Sequence, residues 1–215
     1  MAKYHYVPQY TDAWDALRVG IPTSSGFENI ITPLGKKTAK SRWQAYGDTL
    51  IAEKILKRRL DSYMSHWMEA GRMMELDAIE QYEMNRPDIQ SVPVGFVTDD
   101  TEWFGCSPDR LINDDGLLEI KCPKPNTLIA YIRGEDISRD YYPQLQGQLF
   151  VTGRTWVDIY PYHPEIPARP LRVYRDDAYL ALLAEYLGDF KTYMEDAIIK
   201  IAELTMNDDL YKKAA

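Results

Sequence analysis

The stretch Cys106-Ser-Pro-Asp-Arg-Leu-Ile-Asn-Asp-Asp-Gly-Leu-Leu-Glu-Ile-Lys-Cys-Pro123 decides the fold prediction, because it has the pattern of a β-hairpin. The Asp-Asp-Gly at 114–116 is a turn signal between two apolar runs. Side chains alternate across a strand, so Glu119 and Lys121 are expected on one face, about 6.6 Å apart along the strand. Folding about the turn brings Asp109 opposite Glu119, within one residue of register. The hairpin is therefore expected to gather two carboxylates and one ammonium on one patch.

Such a patch has the chemistry of a metal-dependent phosphodiesterase. Hard divalent cations prefer carboxylate oxygens, and phosphodiester hydrolysis uses the cation together with a lysine that holds or polarises water. The motif alone is common: a chain of this length matches Asp…Glu-x-Lys by chance about half the time, as a solvated surface hairpin. Three features argue against such a chance match: Pro108 before the acid, the turn, and the apolar Leu117, Leu118 and Ile120.

The composition indicates a globular protein with a real core. The chain has 215 residues, of which 45% are hydrophobic and 12% aromatic. It has neither an apolar run of about eighteen residues nor a signal-peptide pattern, so we expect no membrane association and a cytoplasmic location. Cys106 and Cys122 stand at the ends of the hairpin arms; a cross-strand disulfide stays open, but free thiols are preferred. Two cysteines cannot hold a four-thiolate iron–sulfur cluster.

The net charge of −8 argues against indiscriminate coating of nucleic acid but not against a local binding site. The basic residues are bunched, in groups comprising Lys36, Lys37, Lys40 and Arg42, then Lys57, Arg58 and Arg59, then Lys121 and Lys124. These groups are compatible with a basic groove on an acidic body. For any single group, a solvated helix face is the favoured explanation.

The rest of the chain predicts helices around this β region. Helices are expected over 11–18, from 23–25 to 31, over 41–60, 63–85, 126–133 and 140–151 (the last regular from about Tyr142), and strands near 92–98, 102–106, 109–112, 117–122, 154–162 and 171–174. An apolar stripe from Tyr179 to Ile201 predicts a C-terminal helix packed against a sheet. We therefore predict one domain over 1–215, with N-terminal helices at 11–85, a catalytic β core at 92–175 and a helix at 176–205. Its class is α/β, with a central mixed β-sheet flanked by helices.

Four segments carry a family resemblance: Trp14-Asp-Ala-Leu-Arg18-Val-Gly-Ile-Pro-Thr23-Ser-Ser25, Glu69-Ala-Gly71-Arg-Met-Met-Glu75, the hairpin itself, and Tyr141-Tyr-Pro-Gln144-Leu-Gln146-Gly-Gln148. Together they resemble the family of bacteriophage lambda exonuclease and the YqaJ-type viral recombinases, which has the restriction-endonuclease-like (PD-(D/E)xK) fold. The resemblance runs from about Trp14 to the final helix.

The resemblance implies a catalytic metal site. Asp109 would bridge two Mg²⁺ ions, with Mn²⁺ as a substitute, and Glu119 and the carbonyl of Ile120 would bind one of the ions. Glu75 would face the metals, and its apolar neighbours favour a carboxylate that has a cation as partner. Lys121 would orient the nucleophilic water. Without cations the three carboxylates should repel one another, which raises their pKa values.

The fourth segment adds Gln144, which would position the water or the scissile phosphate, because an amide both donates and accepts hydrogen bonds. Gln146 and Gln148 are expected to be structural.

The first segment implies a site for the 5′-phosphate of a DNA end. Arg18 offers a planar fork of donors and Ser25 a hydroxyl at a helix start, and Ser107 would add a contact. The family's further Arg after Lys-Cys-Pro is missing here, and Lys124 is the candidate replacement.

The function implied is a Mg²⁺-dependent, processive 5′→3′ exonuclease on double-stranded DNA ends that releases mononucleotides and leaves 3′ single-stranded overhangs. The resemblance also implies a ring-shaped homotrimer and a phage single-strand annealing protein as partner in recombination. Three alternatives stay open: an endonuclease of the same fold, a non-catalytic DNA-end-binding recombination protein, and a metal enzyme acting on another phosphate ester.

Overall fold

A five-stranded mixed sheet forms the centre of the computed structural model, which describes residues 1–60 and 66–206. In chain order the elements are β1 (Lys3–His5), α1 (Asp12–Arg18), a 3-10 helix (Ser24–Asn29), α2 (Lys40–Leu56), α3 (His66–Met84), β2 (Ser91–Val92), β3 (Phe96–Thr98), β4 (Gly105–Cys106), β5 (Arg110–Ile112), β6 (Gly116–Lys121), α4 (Pro125–Ile132), α5 (Ile137–Asp140), α6 (Tyr142–Thr152), β7 (Trp156–Pro161), β8 (Leu171–Tyr174) and α7 (Asp177–Met206). The central sheet has the order β2-β5-β6-β7-β8. Strands β6 and β7 run parallel and the other neighbours antiparallel, so the predicted mixed sheet is confirmed.

The hairpin β5–β6 has the register that the sequence predicts. Arg110 pairs with Leu118, and continuing this register sets Asp109 opposite Glu119. The turn is shifted by one residue from the predicted 114–116 to 113–115, because Gly116 already belongs to β6. A Cβ at Gly116 would lie 2.0 Å from the Trp156 ring, so the close approach of β7 needs a glycine there.

The predicted strand at 92–98 is wrong as a single strand. Val92 pairs with Leu111 in the central sheet, whereas 96–98 belong to a separate three-stranded sheet of order β1-β3-β4. Pro93 lies between them and has no N–H to continue a ladder. The predicted strand at 102–106 shrinks to β4, because the Asp99 carboxylate accepts the N–H groups of residues 103 and 104 and closes a turn. Strand β1 was not predicted.

Helices cover both faces of the central sheet. On one face α6 and α7 pack with the 3-10 helix and α2 over Leu117, Val157 and Ile159. On the other face α3 packs over Leu118 and Ile120. Both faces are therefore buried, which is why β6 and β7 are apolar almost throughout.

Several helices differ from prediction. Helix α2 ends at Leu56 rather than at residue 60, because Lys57 adopts a left-handed φ of 53°. The predicted start of α3 at 63–65 lies outside the described residues. The short α5 was not predicted, whereas the predicted start of the regular helix at about Tyr142 is confirmed, with Pro143 in the first turn of α6. Helix α7 packs mainly on α2 and α6 rather than on a sheet, and Ile201 near its end is 37% exposed.

One buried ion pair ties the sheet together. Asp158 on β7 faces Arg172 on β8, with nitrogen–oxygen distances of 2.8 and 2.9 Å, and accepts the Tyr82 hydroxyl of α3 at 2.7 Å. Within the described part of the chain, no helix is both long and apolar enough to cross a bilayer.

Candidate active site

The hairpin brings its two carboxylates and its lysine together. Asp109 immediately precedes β5, and its Oδ2 accepts the backbone N–H of Ile120 at 2.5 Å. Glu119 lies in the middle of β6 and is only 5% exposed. Its Oε1 accepts from Lys121 Nζ at 2.7 Å, since the two side chains share one face of the strand. Two carboxylates and an ammonium therefore meet at the end of β6.

Helix α6 supplies two amides to the same carboxylate. Gln144 and Gln148 are one helical turn apart and face the same side. The Nε2 of Gln144 donates to Glu119 Oε1 and that of Gln148 to Glu119 Oε2, both at 2.6 Å, while Gln144 Oε1 accepts from Lys121 Nζ at 3.1 Å. Gln146 instead bonds the backbone of Tyr174 and the residue 176 N–H, and is structural as expected. Glu119 is thus held by three donors.

Helix α3 contributes the third carboxylate. Glu75 is hydrogen-bonded to the Asp109 carboxyl, and its Oε2 accepts the Tyr10 hydroxyl at 3.2 Å. Tyr10 has a left-handed φ of 63°, which is uncommon for an aromatic residue. The N-terminal segment therefore reaches across to the site and fixes Glu75.

Burial and mutual repulsion disfavour the charged forms of these carboxylates. Burial raises the pKa of Asp109 well above its ordinary value, and the neighbouring Glu119 and Glu75 raise it further. Burial likewise raises the pKa of Glu75. Burial by itself would lower the pKa of Lys121, but the adjacent Glu119 outweighs it, so the net pKa of Lys121 is raised and the ammonium stays charged. One ammonium does not neutralise three acidic groups.

These donors fit a hard divalent cation. Among residues 1–60 and 66–206, no three His, Cys, Asp or Glu side chains already form a metal cage. Mg²⁺ does not require such a cage, because it usually takes one or two carboxylates and completes its shell with water and substrate phosphate oxygens. Asp109, Glu119 and Glu75 offer carboxylates for it in a desolvated place where a positive charge relieves their repulsion. The ligand role of the Ile120 carbonyl stays a prediction.

A cleft opens beside these carboxylates. It has a volume of about 480 Å³ and is lined by 6–10, 92–95, Glu75, Leu76, Ile79, Asp109 and Arg110. Gln9 ties its two walls together, since its Nε2 donates to the carbonyls of Val94 and Pro108 at 3.1 and 3.0 Å. The cleft leads from the surface to the site.

A second cluster gathers residues of the predicted end-binding segment around Trp14. The indole Nε1 donates to Ser107 Oγ at 3.1 Å and to the Gly95 carbonyl at 2.8 Å. The guanidinium of Arg18, one turn further along α1, lies 3.9 Å from the centre of the Trp14 ring, and the Tyr10 ring lies 5.3 Å away on this segment. Residues 10, 14 and 18 thus form a continuous line from Glu75 to Arg18.

The predicted Ser25 lies on the 3-10 helix, where its hydroxyl is 3.2 Å from Thr23 Oγ1. The Thr23 N–H donates to the Tyr46 hydroxyl at 3.2 Å, and burial raises the pKa of Tyr46 to about 12. Tyr46 interacts electrostatically with Arg18, so these groups lie near one another.

Lys124 does not join the cluster. It precedes α4 and is exposed, and its side chain makes no ion pair or hydrogen bond with any described residue. Its role as a replacement phosphate ligand stays a prediction that no contact supports. The thiols of Cys106 and Cys122 are free, as preferred.

Three contacts of the two clusters were not predicted: Tyr10 to Glu75, Gln148 to Glu119, and Arg59 beside Arg18. Helical spacing from Gln144 could have indicated Gln148. The other two depend on distant segments meeting, for which the sequence carries no local signal.

Solved structures of exonucleases share this fold. The alkaline exonuclease LHK-Exo from Laribacter hongkongensis is 30% identical over 91% of this chain and 98% of its own, with a TM-score of 0.81. Its complex with dAMP has the same identity and coverage and a TM-score of 0.82. A phage related exonuclease from Haemophilus somnus is 13% identical over 84% of this chain and 96% of its own; with a TM-score of 0.61 it shares the fold. The predicted restriction-endonuclease-like fold is therefore confirmed.

No curated protein sequence matches the chain significantly. The family model of the YqaJ-like viral recombinase domain matches residues 13–155, which is more than half of the chain and includes every predicted site residue. The chain therefore belongs to the YqaJ-like viral recombinase family.

Proposed function

We propose that the protein is a Mg²⁺-dependent 5′→3′ exonuclease that degrades one strand from double-stranded DNA ends and leaves 3′ single-stranded overhangs. Family membership and the exonuclease relatives support a nuclease of the phage type. The observation that carries the proposal is the convergence of Asp109, Glu119 and Glu75 with Lys121. Of these four residues, Asp109 and Glu75 line the cleft.

Each side chain has a role that its contacts support. Two Mg²⁺ ions, or Mn²⁺ in their place, would activate the attacking water and stabilise the leaving oxygen. The Asp109, Glu119 and Glu75 carboxylates would hold the ions, with the Ile120 carbonyl as a further ligand. Lys121 keeps its proton, so it acts by donating hydrogen bonds to the water and the scissile phosphate rather than by removing a proton.

Gln144 bonds both Lys121 and Glu119, so it holds the ammonium in a fixed position relative to the carboxylate. Its amide is also close enough to the lysine to help position the phosphate. Both roles are positional, which is how phosphoryl-transfer sites gain most of their rate.

Arg18, Ser25 and Ser107 would anchor the 5′-phosphate, with Lys124 as an outlying candidate. The stacking of Arg18 on Trp14 leaves the guanidinium edge available for hydrogen bonds to phosphate oxygens. Trp14 also bonds Ser107, two residues before Asp109, so the anchor and the metal site share one rigid connection. An anchored 5′ end would set the polarity of degradation.

The proposal extends to the product and the assembly. LHK-Exo has been solved with dAMP, a mononucleotide, which supports release of mononucleotides. We also propose a homotrimeric ring around the DNA and a single-strand annealing protein as partner. The place of action would be the cytoplasm of a bacterial or phage-infected cell, in keeping with the free thiols.

The test is digestion of a linear duplex with one 5′ end phosphorylated and the other hydroxylated, with Mg²⁺ and with EDTA, beside a covalently closed circle. We expect Mg²⁺-dependent loss of the strand with the phosphorylated end, and an intact circle. Cleavage of the circle would replace the proposal with an endonuclease of the same fold. End binding without degradation would replace it with a non-catalytic end-binding protein.

A further inference from the structure

Two arginines meet at the end-binding cluster. Arg59, which follows α2, brings its Nη1 to 3.5 Å from the Arg18 carbonyl, and the two guanidinium groups repel each other electrostatically. Burial, followed by the charge of Arg59, lowers the pKa of Arg18 to about 10. The Nε of Arg18 is buried and has no hydrogen-bond partner in the part of the chain that the structure describes. Positive charge and an unused donor are therefore concentrated in one pocket.

One buried carboxylate, that of Glu53, positions both arginines. Glu53 of α2 is 2% exposed and accepts three hydrogen bonds: from the Gly20 N–H at 3.0 Å, from the Leu60 N–H at 3.2 Å and from Arg59 Nη1 at 3.2 Å. Gly20 has a φ of 64°, and a Cβ there would lie 2.2 Å from Lys54 Cγ, so the turn after α1 fits tightly onto α2. Glu53 therefore fixes the turn that carries Arg18 and the segment that carries Arg59 in one geometry.

The charges of the pocket do not balance. Glu53 is the carboxylate bonded to Arg59, and Asp15 of α1 attracts Arg18 from a distance but forms no ion pair with it within 4 Å. Tyr46 is neutral because its pKa is raised to about 12. Among the residues that the structure describes, the two guanidinium groups thus share one close carboxylate. A phosphate monoester, which carries up to two negative charges and three acceptor oxygens, is the chemistry that completes such a pocket.

We propose that Arg59 is a second guanidinium ligand of the 5′-terminal phosphate, acting together with Arg18, and that Glu53 is its positioning residue. This inference rests on the proposed end binding and names the residue that supplies the charge which exposed Lys124 does not. Among its contacts with the described residues, Arg59 uses only Nη1, which donates to Glu53 and the Arg18 carbonyl, and this leaves its other nitrogens for the phosphate. Direct contact with the anion makes Arg59 a determinant of phosphate preference, beyond its support of the fold.

The test measures binding without cleavage. Fluorescence anisotropy in EDTA gives Kd for a hairpin duplex with a single blunt end, carrying either a 5′-phosphate or a 5′-hydroxyl. The ratio of the two Kd values is compared for the wild-type protein, R59Q and R58Q. Arg58 is the matched control, because it is the adjacent residue, is exposed, and carries the same charge. We expect R59Q to reduce the phosphate preference roughly tenfold, as for loss of one charge-assisted hydrogen bond, and R58Q to retain it.

Because R59Q leaves Glu53 short of one donor, R59K is measured beside it. Lysine keeps the charge near Glu53 but loses the planar fork, so the preference should fall less than in R59Q. If R59Q does not fold, a reduced preference in R59K alone supports the inference. An unchanged ratio of the two Kd values in the folded Arg59 variants overturns the inference. A wild-type protein that binds both ends equally well also overturns it. A wild-type protein that prefers phosphorylated ends through Arg59 but degrades no DNA would overturn the exonuclease and leave this inference standing.

Discussion

Replacing Gln148 with methionine separates catalytic positioning from stability. Gln148 is fully buried, and its Nε2 donates to Glu119 Oε2 at 2.6 Å, so the substitution removes one of the three donors that hold this carboxylate. Outer-sphere contacts of this kind are worth about 10–100-fold in metal affinity or activity. We expect Gln148→Met to raise the Mg²⁺ concentration for half-maximal degradation by that factor.

The stability change should be small for a specific reason. Losing a hydrogen bond to a charged group costs about 1.5–3 kcal/mol. The Oε1 of Gln148 is buried and has no hydrogen-bond partner among the described residues, so removing it recovers about 1–3 kcal/mol. The two effects nearly cancel, so the free energy of unfolding should change by about 2 kcal/mol or less.

Gln146→Met is the matched control, since Gln146 lies two residues earlier in α6 and is also fully buried. It bonds the Tyr174 carbonyl and the N–H of residue 176, so its loss leaves two buried backbone groups unpaired at about 1–3 kcal/mol each. Gln146→Met should therefore lower the unfolding temperature by about 4–24 °C, at about 2–4 °C per kcal/mol, without changing the Mg²⁺ requirement per folded molecule.

The assay is Mg²⁺ titration of strand degradation at a temperature where all variants are folded, with thermal unfolding in parallel. The two variants should show opposite patterns: altered Mg²⁺ dependence with near-normal stability for Gln148→Met, and the reverse for Gln146→Met. Equal Mg²⁺ dependence in both would refute the assignment of Gln148 as the residue that orients Glu119.

Three further outcomes test the site and its support. Lys121→Met should slow degradation by about 10²–10³-fold, because it removes a donor to the transition state that also holds Glu119, and it should leave end binding in EDTA unchanged; wild-type rates would contradict this. In EDTA the unfolding temperature should fall as the pH rises through the raised pKa of Asp109, since the folded state binds the extra proton below that pKa and loses this stabilisation above it; Asp109→Asn should flatten the profile. Mg²⁺ at about 100 times its Kd should then add about 2.7 kcal/mol to the free energy of unfolding at alkaline pH, or about 5–10 °C to the unfolding temperature. The increase should be much smaller at acid pH or in Asp109→Asn, and a calorimetric shift independent of pH would count against the carboxylate site. Arg172→Met should cost about 2–4 kcal/mol of stability, because it leaves the buried Asp158 with the Tyr82 hydroxyl alone, while the degradation rate per folded molecule stays unchanged; an equal loss of that rate would show that the pair serves the site.

The hairpin was predictable because its contacts are local. Alternation along one strand and a short turn suffice to put Asp109, Glu119 and Lys121 together. The one-residue error in the turn has a distant cause, since Gly116 is needed in the strand to admit Trp156 from β7. Likewise, the division of 92–98 between two sheets depends on partners that lie far along the chain, and a continuous apolar run cannot reveal it.

The same distinction between local and distant contacts explains which site residues the sequence could reveal. Gln144 and Gln148 share a helix face that periodicity alone identifies, so the contact of Gln148 with Glu119 was within reach of the sequence. The arrangement of Arg18, Arg59 and Glu53 could not be predicted from the sequence, because it forms only where the turn after α1 meets the end of α2. In the sequence Arg59 is one of three consecutive basic residues, and nothing local distinguishes it from Arg58.

The acidic character of the chain and the half-buried Arg18 and Arg59 are consistent with the proposed recognition of ends rather than of duplex. Non-specific DNA binding grows with the number of phosphates that cations neutralise, and a net charge of −8 opposes it along the duplex. A terminal phosphate monoester differs from an internal diester by an additional negative charge and by its accessibility to a narrow pocket. Guanidinium charge concentrated at the proposed end-binding site would therefore give discrimination that a broad basic surface would lose. The cost is repulsion between Arg18 and Arg59 in the empty pocket, and Glu53 limits it without cancelling the charge that the phosphate would meet.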